Sequence, residues 1–153
     1  MKLIIFNLAT DENNSVLGFT TKWIDSLSKK FEKVYVITMQ EGEHNFEDNV
    51  KVFEIKKEKF RIINFYKIII NILLKNKISA CFAHMTPLQH NLAYPLLFIF
   101  NVKTLLWYEH GQITNTLRIA HKLCNRFISA SPMKLRSRRK NFVTGHGIDT
   151  NLF

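Results

Sequence analysis

The stretch ISACFAHMTPLQHNLAYPLLFIFNVKTLLWY, residues 78–108, decides the fold. It opens on Ile78–Ala83, a short apolar run of strand length, and closes on another, Val102–Tyr108. Between them Pro87–Phe100 reads as a nearly all-apolar helix, kinked or reset at Pro95, because proline removes a backbone donor and crowds the preceding turn. Two strands without polar alternation, joined through a helix, are buried on both faces. That is the pattern of a parallel sheet with helices packed on each side.

The same alternation continues outward. Leu3–Leu8 and Val34–Thr38 read as buried strands. Between them Ser15 is placed to cap a helix in which Val16, Phe19, Trp23, Leu27 and Phe31 recur at spacings of three and four. Glu41–Asp48 is an acidic loop, and Val50–Ile55 is a further strand. In the helix Ile62–Lys75 the polar residues Asn64, Lys67, Asn71 and Lys75 make only a narrow stripe, so most of it is expected to be buried. Downstream, Ile113, Leu117, Ala120 and Cys124 form the inner face of a helix, with Arg118 and Lys122 outside. Phe127–Ala130 is a strand, and Ser131-Pro132 reads as a helix start with proline in the first turn. Arg136, Arg138, Arg139 and Lys140 would crowd the end of that helix, where the dipole favours cations. Asn141–Thr144 is the last strand, followed by Gly145-His-Gly-Ile-Asp149. A chain of 153 residues has room for one core, so a single three-layer α/β domain with a mainly parallel sheet is expected.

Composition narrows the function classes. At 46% hydrophobic and 22% charged, with 5 Gly and 3 Pro, the chain is neither disordered nor low in complexity. Cys81 and Cys124 each sit in apolar runs, which fits two buried thiols in a reducing compartment and supplies no C-x-x-C pair for a metal or redox site. No metal site is expected. The first apolar run is too short for a signal peptide, and no later one approaches the ~20 residues needed to cross a bilayer. A cytoplasmic location is expected, with peripheral contact at the inner membrane face left open. Charge is uneven: residues 1–58 carry 8 Lys/Arg against 10 Asp/Glu, a balance of −2, whereas residues 59–153 carry 14 against 2, a balance of +12. A half that basic suits phosphate, in a nucleotide, a nucleic acid or an anionic lipid.

In a parallel sheet, ligands bind beyond the carboxyl ends of the strands, here the loops after Leu8, Ala83, Tyr108, Ala130 and Thr144. The first loop holds Gly18 alone, so it is not a G-x-G-x-x-G turn, and no G-x-x-x-x-G-K-[ST] loop occurs anywhere. Dinucleotide and P-loop functions are thereby disfavoured. Asp11 and Asn13–Ser15 suit either a sugar hydroxyl or a polar turn capping a helix. His84 stands at one strand end, and Glu109, His110 and Gly111 stand at another. Two histidines on separate strand ends of one edge point to a site, and a histidine exchanges protons near neutral pH beside a departing phosphate or a hydroxyl. Gly145-His146-Gly147 is either a simple exit turn or a turn that exposes amides to a ligand.

Taken together, LGFTTKWI (17–24), AHM (83–85), LWYEHG (106–111), SAS (129–131) and GHGIDTNLF (145–153) resemble, in order, the N-terminal, acceptor-side domain of glycosyltransferase family 4 enzymes, which have the GT-B fold. The resemblance spans essentially the whole of residues 1–153 and implies a Rossmann-like domain. It also implies a retaining transfer of a hexose-like sugar from a nucleotide sugar to an acceptor hydroxyl, with no cofactor and no required metal. By position, Gly18 would lie near the donor phosphates. His110 would contact the reacting sugar, framed by Glu109 and Gly111, and Gly145, His146 and Gly147 would edge the interdomain cleft. His84 and Ser131 match as further substrate-binding positions. The family's nucleotide-sugar pocket and its Glu-x7-Glu carboxylate signature belong to a C-terminal domain, and residues 1–153 carry neither. Stabilising the leaving diphosphate normally supplies much of the rate. The resemblance therefore implies little or no transferase activity without a C-terminal donor-binding domain or subunit, with a sugar or a lipid-linked molecule as acceptor.

Two other classes compete. A non-catalytic module would bind an acceptor or an anionic membrane through Lys134–Lys140. Nucleic-acid binding through the same cluster is disfavoured, because no helix-turn-helix, zinc-finger or RNA-binding signature accompanies it.

Overall fold

Five consecutive buried residues, Leu3–Asn7, place the first strand inside the sheet, with a neighbour on each side. The computed structural model describes residues 1–55, 59–135 and 140–145. The elements are β1 (Lys2–Asn7), α1 (Phe19–Ser28), β2 (Lys33–Thr38), β3 (Val50–Glu54), α2 (Arg61–Lys75), β4 (Ala80–His84), α3 (Pro87–Ile99), β5 (Lys103–Trp107), α4 (Asn115–Leu123), β6 (Arg126–Ser129) and β7 (Asn141–Val143). They form one sheet of seven strands in the order β3-β2-β1-β4-β5-β6-β7, every neighbouring pair parallel. The chain steps outward from β1 to β3, then returns through α2 to lay β4 on the other flank of β1. That reversal opens a crevice between the loops after β1 and β4.

The two faces are covered unequally. On one, Ile4, Phe6, Ile37, Cys81, Ala83, Leu106 and Phe127 meet α2, α3 and α4 through Phe65, Ile69, Ala93, Leu97, Leu117 and Ala120. On the other, Leu3, Ile5, Val34 and Val36 meet α1 through Ile24. Beyond α1 that second face continues as Ala80, Phe82, Leu105 and Ile128, which line an apolar hollow of about 400 Å³ together with Trp23, Leu27 and Phe31. Both cysteines are buried free thiols.

Several local expectations are corrected. Helix α1 starts at Phe19 and not after Ser15, because Asn14 supplies the turn: its Oδ1 accepts the N–H groups of Val16 and Leu17. Gly18 closes that turn. A Cβ there would lie 2.7 Å from the carbonyl oxygens of Asn14 and Glu12. Helix α2 is not mostly buried. Its sheet-facing side is Phe65, Ile69, Ile72 and Leu73, while Ile62, Ile63, Ile70 and Leu74 are exposed. Helix α3 continues through Pro95 without resetting. No helix starts at Ser131-Pro132: residues 131–135 have no regular structure, since Ser131 is held by a side chain from the β5 loop. The Arg136, Arg138 and Arg139 cluster lies outside the described residues.

Candidate functional site

The crevice between β1 and β4 is built from paired strand ends. Asn7 closes β1 and His84 closes β4, and parallel register sets them side by side. Oδ1 of Asn7 accepts the N–H of Leu8 at 3.0 Å, while its Nδ2 donates to Ala9 O and to Thr20 Oγ1. The remaining contact of Oδ1 is His84 Nδ1 at 3.2 Å. Nδ1 therefore carries the proton, and Nε2 presents a lone pair. That Nε2 is buried and has no hydrogen-bond partner among the described residues. Burial pushes the His84 pKa down to about 4, so the ring is neutral at pH 7. Aromatic rings enclose it, with centroids 4.9 Å away at Trp107, 5.0 Å at Trp23 and 5.9 Å at Phe19.

Beside it, Met85 takes a left-handed backbone conformation at φ 55°, uncommon for a side chain of its size. Two bonds to the β5 end hold it there: Met85 N–H donates to Trp107 O at 2.9 Å, and Met85 Sδ accepts the Glu109 N–H at 3.2 Å. The loops after β4 and β5 are thus tied together.

Glu109 ties β5 to β6 in turn. Its Oε2 accepts the N–H groups of Ala130 and Ser131 at 2.8 and 3.0 Å, and its Oε1 accepts the Ser131 hydroxyl at 2.6 Å. A carboxylate gripping two amides and a hydroxyl is a positioning group first. His110 is exposed, and its Nδ1 accepts the N–H of Gln112 at 3.2 Å. A neutral ring so engaged carries its proton on Nε2, so His110 offers an exposed donor, whereas the Nε2 lone pair of His84 stays buried. Gly111 is exposed with open space about it, and Gly145 follows β7 at φ +72°, where a side chain would be strained.

The structure thus sets Gly18, His84, Glu109, His110, Gly111, Ser131 and Gly145 along one edge of the sheet, and joins Glu109 directly to Ser131. His146 and Gly147 lie outside the described residues. Sequence reasoning missed Asn7, Thr20, Met85 and the Trp23–Trp107 wall. Asn7 was visible as a polar residue ending an apolar strand, but its partner became evident only through the register of β1 on β4. No group of three or more His, Cys, Asp or Glu that could hold a metal occurs among the described residues, and none of their helices is long and apolar enough to cross a membrane.

No protein-family model matches the chain, and no curated protein matches it in sequence. A solved structure matches it in fold. HepE from Anabaena, determined in complex with UDP, aligns over 99% of this chain with a TM-score of 0.65 and 14% identity. The chain spans only 46% of the length of HepE. What the likeness shows is the fold, a Rossmann-like α/β domain equivalent to about half of a larger chain.

Proposed function

We propose that this chain is the acceptor-side half of a GT-B glycosyltransferase resembling family 4, which transfers a sugar from a nucleotide sugar to an acceptor hydroxyl with retention and without a metal. The supporting observation is the row of strand-end groups on one edge of a domain whose fold overlays half of a chain solved with UDP. In such a reaction the bond from the sugar C1 to the diphosphate oxygen breaks, the acceptor oxygen bonds to C1, and the acceptor proton passes to the departing phosphate. This half contributes position. His110 Nε2–H reaches the reacting sugar, and Glu109 fixes Ser131 and the β6 turn beside it. His84 sits in the β1–β4 crevice, with Gly18 toward the donor phosphates and Gly145, His146 and Gly147 at the cleft rim. The nucleotide-sugar pocket belongs to a C-terminal donor-binding domain or subunit, so the 153-residue chain alone transfers little or no sugar.

The test is a titration of the isotope-labelled chain with UDP-glucose, followed by amide shifts, with released UDP assayed in parallel. Shifts confined to the loops after β1, β4, β5, β6 and β7, without UDP release above buffer, are expected. Release by the chain alone, or shifts at the opposite edge of the sheet, would overturn this function.

A further inference from the structure

Helix α3 carries no charged residue from Pro87 to Ile99, yet much of it faces outward. Leu88, Leu92, Pro95 and Ile99, spaced four, three and four apart, make one stripe, with Leu88 51% and Ile99 74% exposed. Helix α2 repeats the spacing with Ile63, Lys67, Ile70 and Leu74, and Leu74 is 70% exposed. The helices are neighbours. Tyr66 Oη donates to Leu92 O at 2.9 Å, and Leu74 and Phe100 line one hollow of about 290 Å³ at their C-terminal ends. Each helix returns antiparallel to a parallel strand, so the two run the same way, with their N-termini toward the edge that carries the candidate site.

The charge around this double stripe is of one sign. No Asp or Glu occurs from Lys59 to Tyr108. Lys59, Arg61, Lys67, Lys75 and Lys77 are exposed, and none is in an ion pair among the described residues. A second copy docking on the same face would bring five cations against five, which like-charge repulsion opposes. An apolar surface flanked by lysine and arginine instead complements a surface that is oily within and negative at its rim.

We propose that the outer face of α2 and α3 docks on an anionic bilayer, independently of any transferase activity. The helices lie in the plane of the interface. Ile63, Ile70, Leu74, Leu88 and Ile99 enter the acyl boundary, and the five cations sit at headgroup level on their extended stems. The carboxyl edge of the sheet, at the helix N-termini, stays open beside the membrane.

Flotation of the full chain with vesicles of phosphatidylcholine alone, and of phosphatidylcholine and phosphatidylglycerol in equal parts, tests this. Binding to the anionic vesicles, weakened by salt and at least tenfold above binding to the neutral ones, is expected. Ile70→Glu and Ile99→Glu should each reduce it about tenfold, with the melting temperature unchanged for Ile99, which is 74% exposed, and slightly lowered for Ile70, which is 39% exposed. Lys67→Glu with Lys75→Glu, which leaves the apolar stripe intact, should remove the preference for anionic lipid. Failure to float with either vesicle, or flotation of the Ile70→Glu/Ile99→Glu variant equal to that of the parent, would overturn the proposal. So would a dimer in sedimentation that this variant dissociates, which would assign the face to a second copy.

Discussion

A histidine held neutral well below pH 6 is a different tool from one that titrates in the cell, and His84 is of the first kind. Burial sets its folded pKa at about 4, against 6.5 in the unfolded chain. As pH falls through 6.5 the unfolded chain takes the proton and the folded one does not. The contribution is therefore whole above pH 6.5 and is lost down to about 4, roughly 3 kcal/mol in all. Burial also lowers His90 and His121, so their slopes have the same sign. The urea midpoint should fall between pH 7 and pH 4, and His84→Gln, which keeps an amide donor for Asn7 but cannot titrate, should show a shallower fall. An identical fall in the variant would mean that His84 does not resist protonation. The thiols are shielded by the same physics: burial pushes Cys124 up to about 11 and Cys81 higher still. Neither should react with an aromatic disulfide reagent at pH 8 until the chain unfolds, and rapid labelling of the native protein would contradict their placement in the core.

Among the elements, β5 and β6 pair along their backbones, and one carboxylate ties the turn after β6 to the loop after β5. Glu109→Ala removes the acceptor on which three donors now converge and leaves the Ala130 and Ser131 N–H groups without that partner. The exchange rates of the Ala130 and Ser131 amides should rise, with about 1–2 kcal/mol of stability lost. Unchanged protection would show that the turn is held by other groups. Gly18→Ala should likewise destabilise the start of α1 by about 1–3 kcal/mol, because the added methyl meets backbone oxygens that cannot swing aside, and a thermal melt reads that loss. These junctions mark where the sequence was opaque. Apolar runs such as those within Leu3–Leu8 and Val34–Thr38 disclosed the strands, since a segment buried on both faces admits no polar alternation. Ser15 misled because a hydroxyl before a periodic run signals a cap wherever Asn14, one residue earlier, does not take the amides first. Ser131-Pro132 misled in the same way, its local helix preference overridden by Glu109, 22 residues upstream. Periodicity shows that Ile63, Ile70 and Leu74 share a stripe, but not whether protein covers it.

At the scale of the whole molecule, the unequal covering of the sheet makes a prediction that two adjacent residues can decide. Leu105 and Leu106 are the same side chain on the same strand, directed to opposite faces. Leu106 is fully buried beneath α3 and α4, whereas Leu105 lines the apolar hollow on the side where, among the described residues, α1 is the only helix. Truncating a fully enclosed leucine removes its transfer energy and leaves a cavity, about 3 kcal/mol. Truncating one that already meets solvent removes part of the first and little of the second, about 1 kcal/mol. Leu106→Ala should therefore lower the urea midpoint well below that of Leu105→Ala, at the same denaturant slope. Equal losses that grow with protein concentration would mean that the hollow over β4–β6 is filled by association in solution. Equal losses independent of concentration would mean that the chain itself covers it.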